Sequence, residues 1–127
     1  MNNKSNKMVG YFAGTDPLWL TTLEAHGYAT LPLSNGFDGH GMNIGLITDR
    51  SRINLVLTFF HKLIPPMGSD VEVKDMLHTT SVYGIPVIAA CPAKLIDMAR
   101  KNVGSLPDNI KLVDPSEILQ RALEILS

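Results

Sequence analysis

The chain is poor in the features that mark secreted and membrane proteins. It has a single cysteine, Cys91, in 127 residues, and one thiol cannot form an internal disulfide. No apolar run approaches the roughly 20 residues that span a bilayer. The amino-terminal MNNKSNK is polar, with no hydrophobic region behind it. We therefore expect a cytoplasmic protein that has no membrane partner and no secretory leader.

The chain also lacks an excess of positive charge. Eleven lysines and arginines stand against twelve aspartates and glutamates, so the formal net charge is -1. The basic residues cluster only in pairs, which are Lys4 with Lys7, Arg50 with Arg52, and Arg100 with Lys101. Because electrostatic binding to nucleic acid needs a basic face, the composition argues against a nucleic-acid partner.

Common catalytic and cofactor motifs are missing as well. The sequence contains no GxGxxG, GxxxxGK[ST], GxSxG or HExxH, so dinucleotide-binding, Walker-type, nucleophile-elbow and zincin functions lack their signatures. Asp38, His40 and His61 could supply three metal ligands, but no cysteine pair or carboxylate-rich cluster accompanies them. The sequence therefore predicts neither a metal ion nor a cofactor.

The composition is that of one ordinary globular domain. Hydrophobic residues make up 45% of the chain and charged residues 18%, and this length is sufficient to bury a single core. We expect a disordered lead-in over residues 1–7 and one domain over residues 8–127.

Strand-length apolar runs alternate with helical patterns throughout that domain. Strands are predicted over residues 8–13, 29–33, 53–60, 85–90 and 110–113. Helices are predicted over 17–27, 40–49, 71–83 and 93–102, with a last one opening at 114–117. The run INLVLTFF at 53–60 is apolar throughout, which is typical of a parallel strand covered on both faces. The order βαβαβαβαβα predicts an α/β fold with a five-stranded parallel sheet and helices on both sides, a three-layer, doubly wound arrangement.

A glycine-punctuated loop follows the second predicted strand. Its polar residues are Ser34, Asn35, Asp38 and His40, and its glycines are Gly36, Gly39 and Gly41. Glycines let the backbone approach a ligand closely, and amides at the start of a helix suit an anion. The alternative is an ordinary connection rich in turn residues.

Ligands in such sheets bind beyond the carboxyl ends of the strands. Three loops are expected at that edge, over residues 14–16, 34–41 and 61–70. Their polar groups are Thr15, Asp16, Ser34, Asn35, Asp38, His40, His61, Lys62, Ser69 and Asp70.

Residues 59–93, FFHKLIPPMGSDVEVKDMLHTTSVYGIPVIAACPA, resemble the second half of a methylglyoxal synthase-like domain. The family shows a buried strand ending in FF, a loop rich in proline and acidic residues, a helix similar to VKALLRLATVW, and then NIPVAT. Upstream, SNGFDGHGMNIGLI at 34–47 is similar to the family segment SGPxGGDQQVGALI. The resemblance implies a doubly wound, flavodoxin-like sheet and a homo-oligomer, which is often a hexamer in the enzyme.

As a synthase, such a protein would deprotonate dihydroxyacetone phosphate with an aspartate, stabilise the enediolate with a histidine, and eliminate phosphate. This chain departs from the family pattern. Gly14, Thr15 and Leu18 stand where the family has HDxxxK, and the phosphate loop TGTT is absent. His40 occupies the position of the general-base aspartate, and Ser69 that of the catalytic histidine. Standard methylglyoxal synthesis is therefore not expected.

Two functions of different classes are left open. In the first, the domain is a regulatory or binding module for a small anionic, phosphorylated metabolite. Its ligand-binding residues would be Gly14, Thr15, Asp16, Ser34, Asn35, Gly36, Gly39, Lys62 and Ser69. In the second, it is a repurposed carbon-oxygen lyase or isomerase with His40 or Asp38 as general base and His61, Lys62 or Asp16 as helper. A third and plainer possibility is a subunit whose edge is only an interaction surface.

Overall fold

The structure is a computed structural model that describes residues 7–34, 41–46, 52–64, 77–103 and 106–127. The predicted lead-in apart from Lys7 lies outside the described residues. Most of the glycine-punctuated loop and the first part of the helix predicted at 71–83 lie outside them as well.

The described strands form one open parallel sheet, as the sequence predicts. They are β1 (Met8–Tyr11), β2 (Ala29–Ser34), β3 (Met42–Asn43), β4 (Ile53–Phe59), β5 (Val87–Ala90) and β6 (Ile110–Val113). Their order across the sheet is β3-β2-β1-β4-β5-β6. The α/β class with a parallel sheet is therefore confirmed, and the layout is consistent with a flavodoxin-like fold.

The prediction of five strands is wrong, because the described residues already form six. The additional strand is β3, which pairs in parallel with the end of β2 through Leu33 with Met42 and Ser34 with Asn43. A 3-10 turn, Ile44–Leu46, follows it, so the described part of segment 40–49 is not the predicted α-helix. The apolar spacing there does suit a helix, but pairing with β2 satisfies backbone groups along the outer side of that strand.

The described helices are α1 (Pro17–Ala25), α2 (His78–Val82), α3 (Ile96–Val103) and α4 (Ile118–Leu126). Short 3-10 turns, Ala93–Leu95 and Pro115–Glu117, lead into α3 and α4. Helix α1 begins where Asp16 and Pro17 predict it, because the Asp16 carboxylate accepts a hydrogen bond from the Leu18 amide and Pro17 needs no donor partner. Gly84, just beyond the predicted helix end at residue 83, has a φ of 64°, a conformation typical of a glycine that ends a helix.

The sheet separates two clusters of buried side chains. Successive residues of a strand point to opposite faces, and in β5 Val87 and Ala89 join one cluster while Ile88 and Ala90 join the other. The first cluster also contains Leu77, which precedes α2, and Ala99 of α3. The second contains Trp19 and Leu23 of α1 and Ile118, Ala122 and Leu126 of α4. Helices therefore cover both faces of the sheet, which makes β4 buried on both sides.

Candidate functional site

Strands β1 and β4 form the middle of the sheet, and the chain continues from them toward opposite edges. From β1 the chain passes to β2 and β3 on one side, whereas β4 leads to β5 and β6 on the other. Open α/β sheets with such a reversal generally bind ligands beyond the carboxyl ends of the two middle strands. The loop after β1 and the turn after β4 flank this position.

These two connections come close together at Gly14 and Lys62. Gly14 has a φ of 83°, a conformation that glycine adopts with little strain. A β-carbon built on Gly14 would lie 3.7 Å from Lys62 Cε, so the half-buried lysine side chain lies beside this glycine. Lys62 belongs to the 3-10 turn Phe60–Leu63 that follows β4 directly. The structure thus brings together two of the residues that the sequence nominated from separate loops.

Thr15 and Asp16 hold the loop after β1 in shape. The Thr15 amide and its hydroxyl both donate to the Phe12 carbonyl, at 3.3 and 2.7 Å, and Thr15 is only 6% exposed. Asp16 Oδ1 accepts from the Leu18 amide at 2.9 Å. Both residues therefore have a structural role that is sufficient to explain their presence, whatever they contribute to a ligand.

Ser34 is the last residue of β2 and pairs with Asn43 of the short strand β3. It is 4% exposed. Its position at the carboxyl end of the strand beside β1 is the predicted one, but a ligand would reach its side chain only with some local opening.

His61 is the outermost of three neighbouring rings at the carboxyl end of β4. Its exposed ring stacks on Phe59 with a centroid distance of 5.9 Å and an interplanar angle of 27°. The other neighbour of Phe59 is Trp19, at 5.1 Å. Trp19 is buried, and its ring supports the Phe59 ring on which His61 stacks. Only the adjacency of α1 and β4 in space joins these three rings.

The remaining nominated residues lie outside the described part of the chain. They are Asn35, Gly36, Asp38, Gly39, His40 and Ser69. The predicted meeting of His40 and Asp38 with Thr15 therefore stays a prediction. Within the described residues, no three His, Cys, Asp or Glu side chains form a group that could hold a metal ion.

The carboxyl ends of β5 and β6 carry two further groups, Cys91 and Asp114, that the sequence did not nominate. Asp114 accepts hydrogen bonds from the Ala93 amide at 2.8 Å, and from the Ser116 amide and hydroxyl at 3.0 and 2.6 Å. These bonds, first that from the Ser116 side chain, lower the pKa of the Asp114 carboxyl. Burial, with a smaller effect from Asp114, raises the pKa of the Cys91 thiol. A thiol with a raised pKa is a poor nucleophile at neutral pH.

The structure is therefore that of a parallel α/β protein with an open, doubly wound sheet. No protein-family model matches the chain, and no curated protein matches it. No helix in the described residues is long and apolar enough to cross a membrane.

Proposed function

We propose that this protein binds a small anionic, phosphorylated metabolite beyond the carboxyl ends of β1 and β4. The observation that carries the proposal is the closeness of Lys62 to Gly14, which puts a cationic side chain beside an exposed glycine of positive φ.

The positive charge for the ligand would come from Lys62 rather than from the start of α1. The amino terminus of a helix attracts anions, but the Asp16 carboxylate already caps the Leu18 amide there. A second negative group beside Asp16 would be repelled. We therefore place the phosphate group on the Lys62 side of the Gly14 loop.

The proposal describes a methylglyoxal synthase-like binding or regulatory module and not a synthase. Where the resembled family has HDxxxK, this chain has Gly14, Thr15 and Leu18. Thr15 is turned inward, and Leu18 is 71% exposed. Neither side chain can replace a catalytic acid, base or cation. As a further part of the proposal, the module works as a homo-oligomer in a reducing, cytoplasmic setting.

The test is a thermal-shift screen with phosphorylated sugars, nucleotides and carboxylates. A ligand at 100 times its Kd adds about 2.7 kcal/mol to the free energy of unfolding, so a true ligand raises Tm measurably. In Lys62→Met the shift with phosphorylated compounds should disappear, because the alkyl stem remains while the charge is lost. In the control Lys94→Met, which alters an exposed lysine after β5, the shift should persist. A phosphorylated ligand that stabilises Lys62→Met as strongly as the wild type would refute the site.

The second candidate function is a repurposed carbon-oxygen lyase or isomerase acting on a small phosphorylated or carbonyl substrate. It is favoured by the exposed His61 imidazole, which stacks on Phe59 at the same edge and could move a proton. In this mechanism His40 or Asp38 is the base. His40→Ala and Asp38→Asn should then abolish turnover of triose or sugar phosphates while Tm stays nearly unchanged. Full activity in both variants would exclude this assignment.

A further inference from the structure

Strand β6 is the last strand of the described sheet on the side of α3 and α4. Among the described residues it pairs with β5 alone, and two hollows flank it. One, of about 260 Å³, lies on the side of α3 and is lined by Arg100, Leu106, Pro107 and Asp108 together with β6 residues. The other, of about 300 Å³, lies on the side of α4 and is lined by Ile88, Val113, Arg121, Glu124 and Ile125, again with β6 residues. We call this surface the α3–β6–α4 face.

The hollow beside α4 has an apolar floor and a charged rim, whereas the surface of the hollow beside α3 is mainly polar. Ile88 and Leu112 are buried residues that reach the hollow beside α4, and Ile125 stands at its margin with 41% of its surface exposed. A patch with an apolar centre and a polar rim has the make-up of a protein interface. Lys111 lines both hollows.

The rim carries charges of both signs in nearly equal number. Three cations, Arg100, Lys111 and Arg121, alternate with two anions, Asp108 and Glu124. Lys111 and Glu124 make no ion pair within 4.0 Å among the described residues, and Arg121 has only an exposed contact with Glu117 at 3.9 Å. A strongly acidic or basic partner would meet like charges on such a rim. A surface of the same mixed pattern can set opposite charges against each other.

We propose that the α3–β6–α4 face binds a second copy of this chain across a two-fold axis, an inference that rests on the homo-oligomer of the proposed function. A two-fold contact sets the same patch against itself, so cations of one copy can meet anions of the other. The total charge of -1 adds little repulsion between copies. The hollow beside α4 puts Lys111 and Glu124 on one rim, and in the dimer each Lys111 faces the partner's Glu124. A lysine on an edge strand also disfavours the repeated edge-to-edge pairing of many copies. A closed dimer is therefore favoured over a fibre.

The experiment is sedimentation equilibrium of the wild type, Lys111→Glu and Glu124→Lys over a concentration series. The wild type should be a dimer. Each variant alone should dissociate with a Kd raised about tenfold or more, because two like-charge contacts replace two attractive ones. An equimolar mixture of the two variants should form a heterodimer of near wild-type affinity, since both contacts are then complementary.

The matched control is Arg52→Glu, a charge reversal at an exposed residue before β4, which should dimerise like the wild type. Thermal melting checks that every variant is folded. A wild type that is monomeric at all concentrations would overturn the proposal and identify Lys111 as edge protection only. Single variants that dimerise as tightly as the wild type, or a mixture no tighter than its components, would overturn it as well.

Discussion

At the scale of single residues, two glycines near β1 are required for different reasons. At Gly10, a β-carbon would lie 2.5 Å from Leu33 Cδ1 and 3.2 Å from its Cγ, and Leu33 is fully buried. The requirement there is space between neighbouring strands. At Gly14 the nearest side-chain atom is at an ordinary distance, and the requirement is the positive φ. One glycine therefore serves packing and the other serves the shape of the candidate site.

We expect Gly10→Ala to lower the free energy of unfolding by about 1–3 kcal/mol, the usual cost of forcing an extra carbon into a packed core. Urea denaturation measures the change. The double variant Gly10→Ala/Leu33→Ala should lose less than the sum of the two single changes, because the shortened side chain makes room for the new methyl group. Strict additivity would show that Leu33 is not what the methyl group meets.

At the scale of elements, Asp114 joins the connections that follow β5 and β6. Its carboxylate caps the turn into α4 through Ser116 and at the same time accepts the Ala93 amide at the turn into α3. The sequence pattern Asp-Pro-Ser-Glu predicts the first of these contacts, since both partners are local. The contact with Ala93 spans 21 positions of the chain and depends on the pairing of β5 with β6.

The lowered pKa of Asp114 has a consequence for stability against pH. The carboxylate binds protons less readily in the folded chain than in the unfolded one. Its contribution to the stability of the folded state is therefore complete at pH values well above the ordinary pKa of 3.8. That contribution is lost as the pH falls through the lower pKa of the folded state. We expect Asp114→Asn to have a lower Tm than the wild type at pH 7. The difference in Tm between the two proteins should become smaller as the pH falls below about 4. Melting curves over that range provide the measurement, and a constant difference would contradict the assignment.

At the scale of the whole molecule, β4 contributes side chains to both clusters of buried residues, one on each face of the sheet. Met8 pairs with Ile53 and Val9 with Leu55, so Asn54 is a bulge in β4, and its Oδ1 accepts the Met8 amide at 3.0 Å. The bulge sets Ile53 and Val56 on one face and Leu55 and Leu57 on the other. Lys7 adds a long-range tie by donating to the Leu126 carbonyl near the end of α4.

Because Leu57 is fully buried in the middle of the sheet, Leu57→Ala should cost about 2–5 kcal/mol. That is a large part of the roughly 5–15 kcal/mol that stabilises a domain. The exposed Leu18 is the matched control, and Leu18→Ala should change stability by less than about 0.5 kcal/mol. Chemical denaturation of both variants decides the comparison. Equal effects would mean that the centre of the sheet is not where the core energy lies.

The sequence by itself determined the alternation of strands and helices, the parallel sheet and several helix boundaries, because each depends on local periodicity, capping residues and proline. Local rules failed at Met42 and Asn43, where pairing with β2 took precedence over a helical spacing of apolar residues. Only the tertiary structure decided that Lys62 lies against Gly14, that His61 stacks on Phe59, and that hollows flank β6. Those features depend on the order of strands across the sheet, and a linear pattern of hydrophobic and polar residues does not encode which strands become neighbours.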